Sequence, residues 1–289
     1  MTVQLLGAAD IRRLAAELDV TPTKRLGQNF VVDANTVRKI VSAARVEDGE
    51  SVVEIGPGLG SLTLAILETG ARVTAVEIDP RLASRLARTA AERGVPDGAL
   101  EVVEHDAMTI EELPGAPRVL VANLPYNVSV PVLLHFMQTF PSLDRGVVMV
   151  QAEVGERLAA APGSKIYGAP SAKAAWYGSW RLAGTVSRQV FWPVPGVDSV
   201  LVGFSRSPHA LGTEEERVRT FRLVDLAFQQ RRKMLRQALS SALGGSATAA
   251  SAVLEAAGVA PTVRGEQLTI DDFLRIARVA ASPGADPSA

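Results

Sequence analysis

Ser51-Val52-Val53-Glu54-Ile55-Gly56-Pro57-Gly58-Leu59-Gly60 is the stretch that decides the fold. A buried-strand run ends in a turn with glycine at every second position, and Leu62 to Leu67 then continue as a helix. Strand, glycine-rich turn and helix in that order form the first unit of an alternating α/β sheet. Glycine in such a turn reaches positive φ and lets the backbone approach a ligand. Alone the turn is a weak signal, because nucleotide and dinucleotide folds use similar turns, although its spacing differs from Gly-x-Gly-x-x-Gly.

Outward from this turn the alternation continues. Val73 to Glu77 reads as a second strand followed by a helix over 80–93, and Leu100 to Glu104 as a third strand. The run 118–122 is a fourth, followed by a helix over 131–139 and a strand over 146–150. Upstream, Val37, Ile40, Val41 and Ala44 recur at helical spacing behind Asp33 and Asn35, either of which could cap that helix. Val186 to Phe191 and Ser199 to Ser205 are two further strand-like runs joined by a proline-rich turn. The pattern predicts a doubly wound α/β sheet.

Near Arg206 the character changes. Residues 207–212 read as a linker, and Thr213 with Glu216 forms a candidate capping box that opens a long helical segment. Helical patterning runs to about Ala281, with breaks at Gly244-Gly245 and from Gly258 to Pro261. The expected organisation is a helical N-terminal extension over 1–25, the sheet domain over 26–206, a smaller all-helical domain over 207–281 and a disordered tail over 282–289.

Composition narrows the function. The 289 residues are 47% hydrophobic and 21% charged, enough apolar material for a full core. No cysteine is present, which removes disulfides, thiol catalysis and cysteine metal sites. No apolar stretch approaches the roughly 18 residues of a membrane span, and Ile11 to Leu18 is an amphipathic helix with no signal-peptide pattern. A cytoplasmic protein with no membrane contact is expected. Net charge is −1, so the molecule as a whole is not a basic nucleic-acid binder, and any RNA affinity must come from local patches.

Three features at successive strand ends point to a nucleoside cofactor. Gly56 and Gly58 lie in the turn. Glu77 ends the second strand, where a carboxylate can accept ribose hydroxyls. Asp106, beside Ala107, ends the third and could face an adenine amino group. Singly, Glu77 and Asp106 could equally cap the helices that follow; together they argue for a ligand at the carboxyl ends of the strands. A nicotinamide cofactor remains the rival as far as position 123.

Asn123-Leu124-Pro125-Tyr126 then separates the two, because a dehydrogenase does not need it. The Asn123 side-chain oxygen and the Leu124 or Pro125 carbonyl can accept hydrogen bonds from an exocyclic amine, and Tyr126 can stack on the base. Adenine N6 is a poor nucleophile because its lone pair is delocalised into the ring, and such acceptors would localise it. Catalysis then rests on positioning and electrostatics, with no metal and no covalent nucleophile. The pattern points to methyl transfer onto an adenine amine. His105, His135 and His209 are scattered without metal-ligand spacing. Arg217 to Arg236 holds seven basic residues against the single acid Asp225. Such a run is usually a solvated helix face, and here it is also a candidate RNA-backbone surface.

On these residues the chain resembles the rRNA adenine dimethyltransferases, with the KsgA-type small-subunit branch the nearer match. The likeness runs from about Leu26 to the final helices. It is carried by Leu26 to Phe30, Glu54 to Gly60, Glu77, Asp106, Asn123 to Tyr126 and Gln151 to Val154. It continues through Pro162 to Gly168, Phe191 to Ser199 and Gln229 to Leu235. The resemblance implies a Rossmann-like class I methyltransferase sheet that binds S-adenosylmethionine and releases S-adenosylhomocysteine. It implies dimethylation of two adjacent adenosines in a hairpin near the 3′ end of small-subunit rRNA, within the immature 30S subunit, by a monomer. It implies cofactor contacts by Gln28, Asn29, Val31, Gly56, Gly58, Glu77, Ile78, Asp106, Ala107 and Asn123. The target adenine would lie between Tyr126 and Phe191, beside Asn123, Leu124 and Pro125. Lys24, Arg25, Arg231, Arg232, Lys233 and Arg236 would contact RNA. The resemblance leaves a large-subunit rRNA methyltransferase, or a non-catalytic assembly or transcription factor of the same fold, as alternatives. Three positions depart from the pattern: Val31 replaces a leucine, Gly196 a lysine and Met234 a threonine.

Overall fold

The computed structural model describes residues 3–20, 29–125 and 128–282. Helix α1 (Ala8–Glu17), strand β1 (Phe30–Val31) and helix α2 (Ala34–Ala44) lead into the sheet. There follow β2 (Ser51–Ile55), α3 (Ser61–Leu67), β3 (Arg72–Glu77), α4 (Pro80–Glu92), β4 (Leu100–Glu104), β5 (Val119–Asn123), α5 (Ser129–Thr139) and β6 (Arg145–Gln151). Next come α6 (Ala152–Leu158), α7 (Ala169–Ala175), β7 (Gly178–Val186), β8 (Phe191–Trp192) and β9 (Ser199–Arg206). Helices α8 (Glu214–Gln229), α9 (Leu235–Ala238), α10 (Ala247–Ala256) and α11 (Ile270–Ala281) complete the order.

The expected doubly wound sheet is present, with seven strands in the order β4-β3-β2-β5-β6-β9-β7. Strands β2 to β6 pair in parallel, and β9 runs antiparallel to β6. Parallel strands covered on both faces need continuous apolar runs, and Val52, Val53 and Ile55 or Val119 to Ala122 supply them. Local signals place the helices. The Asp33 carboxylate caps α2 by accepting from Thr36 N–H at 2.7 Å, so of the two candidates Asp33 is the cap. Pro80 opens α4 behind its cap Asp79. From β2 the chain winds outward through β3 and β4, then returns to place β5 on the other side of β2. Their carboxyl ends flank the point where strand order reverses, and a ligand crevice belongs there.

The chain forms two compact units, which divide it differently from the expected domains. One contains 1–155 with 180–206, and the other 156–179 with 207–289. Residues 156–179 therefore belong with the helices after Arg206, because α7 packs on α8 within that unit: Lys173 Nζ reaches Asp225 at 2.8 Å. The segment 3–20 is no separate extension either. Ile11, Leu14, Ala15 and Val20 share one apolar cluster with Phe30, Leu59, Leu64 and Leu82. The Thr213–Glu216 capping box opens α8 as expected.

One predicted strand is displaced. The run Val186 to Phe191 is interrupted, its two ends lying in β7 and β8: between them Ser187 Oγ accepts from Gln189 N–H and 188–190 form a 3-10 helix. The edge strand β7 comes earlier instead. The remainder of the expected tail, 283–289, lies outside the described residues.

Candidate active site

The strand ends enclose a cavity of about 360 Å³. Its walls come from β1, the turn after β2, and the segments after β3, β4 and β5. The turn is built by backbone sterics. Gly56 and Gly58 have φ of +65° and +58°, and a Cβ on Gly58 would stand 2.9 Å from the Phe30 ring. Strand β1 can therefore lie against this turn only because residue 58 has no side chain.

Glu77 locks the turn to the next strand. It is 6% exposed. Its Oε2 accepts from Gly58 N–H at 3.1 Å, and its Oε1 from Ile78 and Asp79 N–H at 2.9 and 3.0 Å. Burial pushes its pKa up, against the pull of these three backbone donors, with the neighbouring Asp79 adding to the rise. A carboxylate offers about four acceptor positions, so roughly one remains for a ligand hydroxyl. Asp106 is less committed. Its Oδ1 accepts from Met108 N–H at 2.8 Å, and Oδ2 has no partner among the described residues. Ile78 (63% exposed) and Met108 line the same cavity and offer apolar faces, as does Ala107 more modestly.

Asn123 closes the other wall. It ends β5, beside the turn after β2. Its Nδ2 donates to the Asn29 carbonyl at 3.0 Å, across 94 residues of sequence. That bond orients the amide, and Oδ1 has no partner among the described residues. Leu124 N–H continues the sheet by donating to Met149, and the Pro125 carbonyl accepts from Val128 N–H at 3.4 Å. Among the described backbone groups none donates to the Leu124 carbonyl. Val31 lines the cavity from β1.

Phe191 is 2% exposed and does not line the cavity: antiparallel pairing of β8 with β1 sets it opposite Val31 in the core. Lys24, Arg25, Gln28 and Tyr126 lie outside the described residues. In the helical unit, Arg231 is spent on Glu266 (2.8 Å) and the Lys165 carbonyl (2.6 Å). Arg217 and Arg219 pair with Glu214 and Glu215. Arg232, Lys233 and Arg236 have no carboxylate partner among the described residues, and the first two are exposed.

Sequence reasoning left Glu54 out of the site. It lines the cavity at 1% exposure, with Oε2 buried and unpaired among the described residues. Burial raises its pKa to about 8, opposed by Thr63 and aided by the charge of Glu77. A glutamate inside an otherwise apolar strand was the available signal. Met108 was also missed; nothing in its local sequence marks it.

A family model described as Ribosomal RNA adenine dimethylase matches residues 21–282. The ribosomal RNA small subunit methyltransferase A of Leifsonia xyli is 67% identical over 277 residues, covering 95% of this chain and 98% of that protein. Its namesake in Streptomyces coelicolor is 58% identical over 276 residues, covering 94% and 96%. A solved dimethyladenosine transferase from Plasmodium falciparum matches with a TM-score of 0.72 at 26% identity, covering 84% of this chain and 94% of that one. The 23S rRNA methyltransferase ErmE shares the fold, with a TM-score of 0.65 at 24% identity, over 88% of this chain and 100% of that one. With the family match and its relatives spanning almost the whole length, this chain belongs to the ribosomal RNA adenine dimethylase family.

Proposed function

We propose that this chain transfers methyl groups from S-adenosylmethionine to N6 of two adjacent adenosines in a hairpin near the 3′ end of small-subunit rRNA. It acts as a monomer in the cytoplasm, on the immature 30S subunit, with S-adenosylhomocysteine as the released product.

The observation that carries the reading is the orientation of Asn123. With Nδ2 engaged by Asn29, Oδ1 is left to accept from an amine, and the Leu124 carbonyl offers a second acceptor. Two acceptors suit the two protons of an adenine N6. As the amine pyramidalises and gains positive charge, both bonds strengthen, so they stabilise the transition state more than the ground state. No general base is needed to begin the reaction.

The residues fit a cationic donor. Glu77, Asp79 and Asp106 line the cavity, and no Lys or Arg does among the described residues. Such a lining disfavours the pyrophosphate of a dinucleotide, the rival reading. The volume lies within the range of small-molecule sites. Glu77 would hold a ribose hydroxyl, Asp106 Oδ2 an adenine amine, and Ile78 and Met108 the purine faces. Gly56 and Gly58 admit the portion of the donor that runs close to the backbone, with Asn29, Val31 and Ala107 completing the walls. When bound, S-adenosylmethionine supplies an electrophilic methyl group on a sulfonium.

Relatives 58–67% identical carry a small-subunit name, which favours that target over the large subunit. Undermethylated small and large subunits incubated with radiolabelled donor provide the test. Label on adjacent adenosines of the small-subunit RNA is expected. Label confined to large subunits would replace the reading with the large-subunit one, and no label on either would leave a non-catalytic factor.

A further inference from the structure

We propose that Arg188 is a phosphate-contacting residue of the RNA-binding rim, supplying from the 3-10 helix a positive charge that the adjoining turn lacks. The inference rests on the functional reading above.

The turn 193–198 joins β8 to β9 and contains no Lys or Arg. It is an exposed structure, with Val194 61% and Val197 47% accessible. It sits next to the active cavity by construction. Strand β8 pairs with β1, Phe30 opposite Trp192, and β1 forms a cavity wall. This edge is therefore within reach of an RNA strand that delivers a base to that cavity.

Arg188 brings a cation to this edge. Its Nη1 donates to the Gly196 carbonyl at 3.2 Å, and its backbone N–H donates to Asp198 Oδ1 at 3.1 Å. The guanidinium is thus anchored on the turn through one nitrogen. It is exposed and has no carboxylate within ion-pair distance among the described residues, unlike most arginines of this unit. A guanidinium tied at one N–H keeps a planar fork of donors suited to a phosphate. Position 196 is where the resemblance places a lysine. Gly196 has open space where a Cβ would stand and an ordinary φ, so a side chain can be restored there without strain.

The experiment uses the full-length protein and undermethylated small subunits, with binding measured across a salt series. Arg188→Ala and Arg188→Gln should each lower the log–log salt slope by about 0.7–0.9. Both should raise the KM for subunits severalfold, with kcat and S-adenosylmethionine affinity unchanged. Gln retains a donor for the Gly196 carbonyl, so loss in both variants identifies charge as the cause. The double variant Arg188→Gln with Gly196→Lys should recover the slope. A slope that stays at the parent value in Arg188→Gln overturns the inference, as does a double variant that fails to recover. A parent protein that neither binds nor methylates small subunits would instead defeat the functional reading, and that control is read first.

Discussion

The two walls of the cavity are organised differently. On the donor side the polar groups are held mostly by their own neighbourhood, Glu77 by Ile78 and Asp79 and Asp106 by Met108, with the Gly58 N–H, 19 residues from Glu77, the one bond from another strand's turn. On the acceptor side they are held across the chain, Asn123 by Asn29 and Leu124 by Met149. A locally held group forms wherever its motif folds. A group held at long range depends on the finished sheet, and its geometry reports on tertiary structure.

Four measurements can break or sharpen this contrast. The largest effect is expected at Glu54. Its pKa is raised, so the folded state keeps a proton that the unfolded chain releases near 4.5, and the fold holds it until about pH 8. Glu54 therefore makes stability fall as pH rises through that window, by up to on the order of 4 kcal/mol. Glu54→Gln removes this loss. Urea unfolding of both proteins at pH 5 and pH 8 should show the variant gaining relative to the parent at the higher pH. Glu77 shifts the same way and remains in both proteins, so some slope persists. Identical pH dependence would mean that Glu54 is ionised in the fold.

Next is Asn123→Ala, expected to lower the methylation rate by about 10²–10³ with RNA affinity retained, since one preorganised acceptor is lost. Single-turnover methylation at saturating donor measures it. A rate within a few-fold of the parent would exclude amine activation by this side chain. Glu77→Ala should weaken donor binding by roughly tenfold or more, equivalent to about 1.5–3 kcal/mol for bonds to a charged acceptor. Because Glu77 also holds Gly58, Ile78 and Asp79, its loss should lower thermal stability even without ligand. Calorimetry with a melting curve separates the two, and an unchanged melt would show that the turn stands without it.

The smallest effect concerns the helical unit. Arg232→Ala with Lys233→Ala should reduce the salt slope of subunit binding by about 0.7–0.9 for each phosphate that is no longer neutralised. Arg231→Ala should leave the slope alone and destabilise the fold, because its guanidinium is committed to Glu266 and the Lys165 carbonyl. A slope unaffected by the double change would reduce this run to a solvated helix face.

What was legible in the sequence follows the same division. The strand–turn–helix at 51–67, the caps at Asp33 and Thr213 and the carboxylates at strand ends are local, and each stands where its pattern placed it. Long-range facts were not legible. Nothing in Phe191 itself shows that β8 pairs with β1 and packs it in the core. Nothing in the run 156–179 shows that its helix belongs with α8. Glu54 was visible as a letter in a motif, but its burial is a property of the closed sheet.

The role proposed for Asn123 and Leu124 as an acceptor pair carries an arithmetic. An unmodified N6 has two protons to give, a monomethylated one has a single proton, and a dimethylated one has none. Each turnover thus removes one of the bonds that hold the base, and after the second the two oxygens face a group that offers them nothing. Buried acceptors without donors are costly, so the finished base is the species that the site holds least well. Such a site counts to two and then lets go, with no separate device to measure progress.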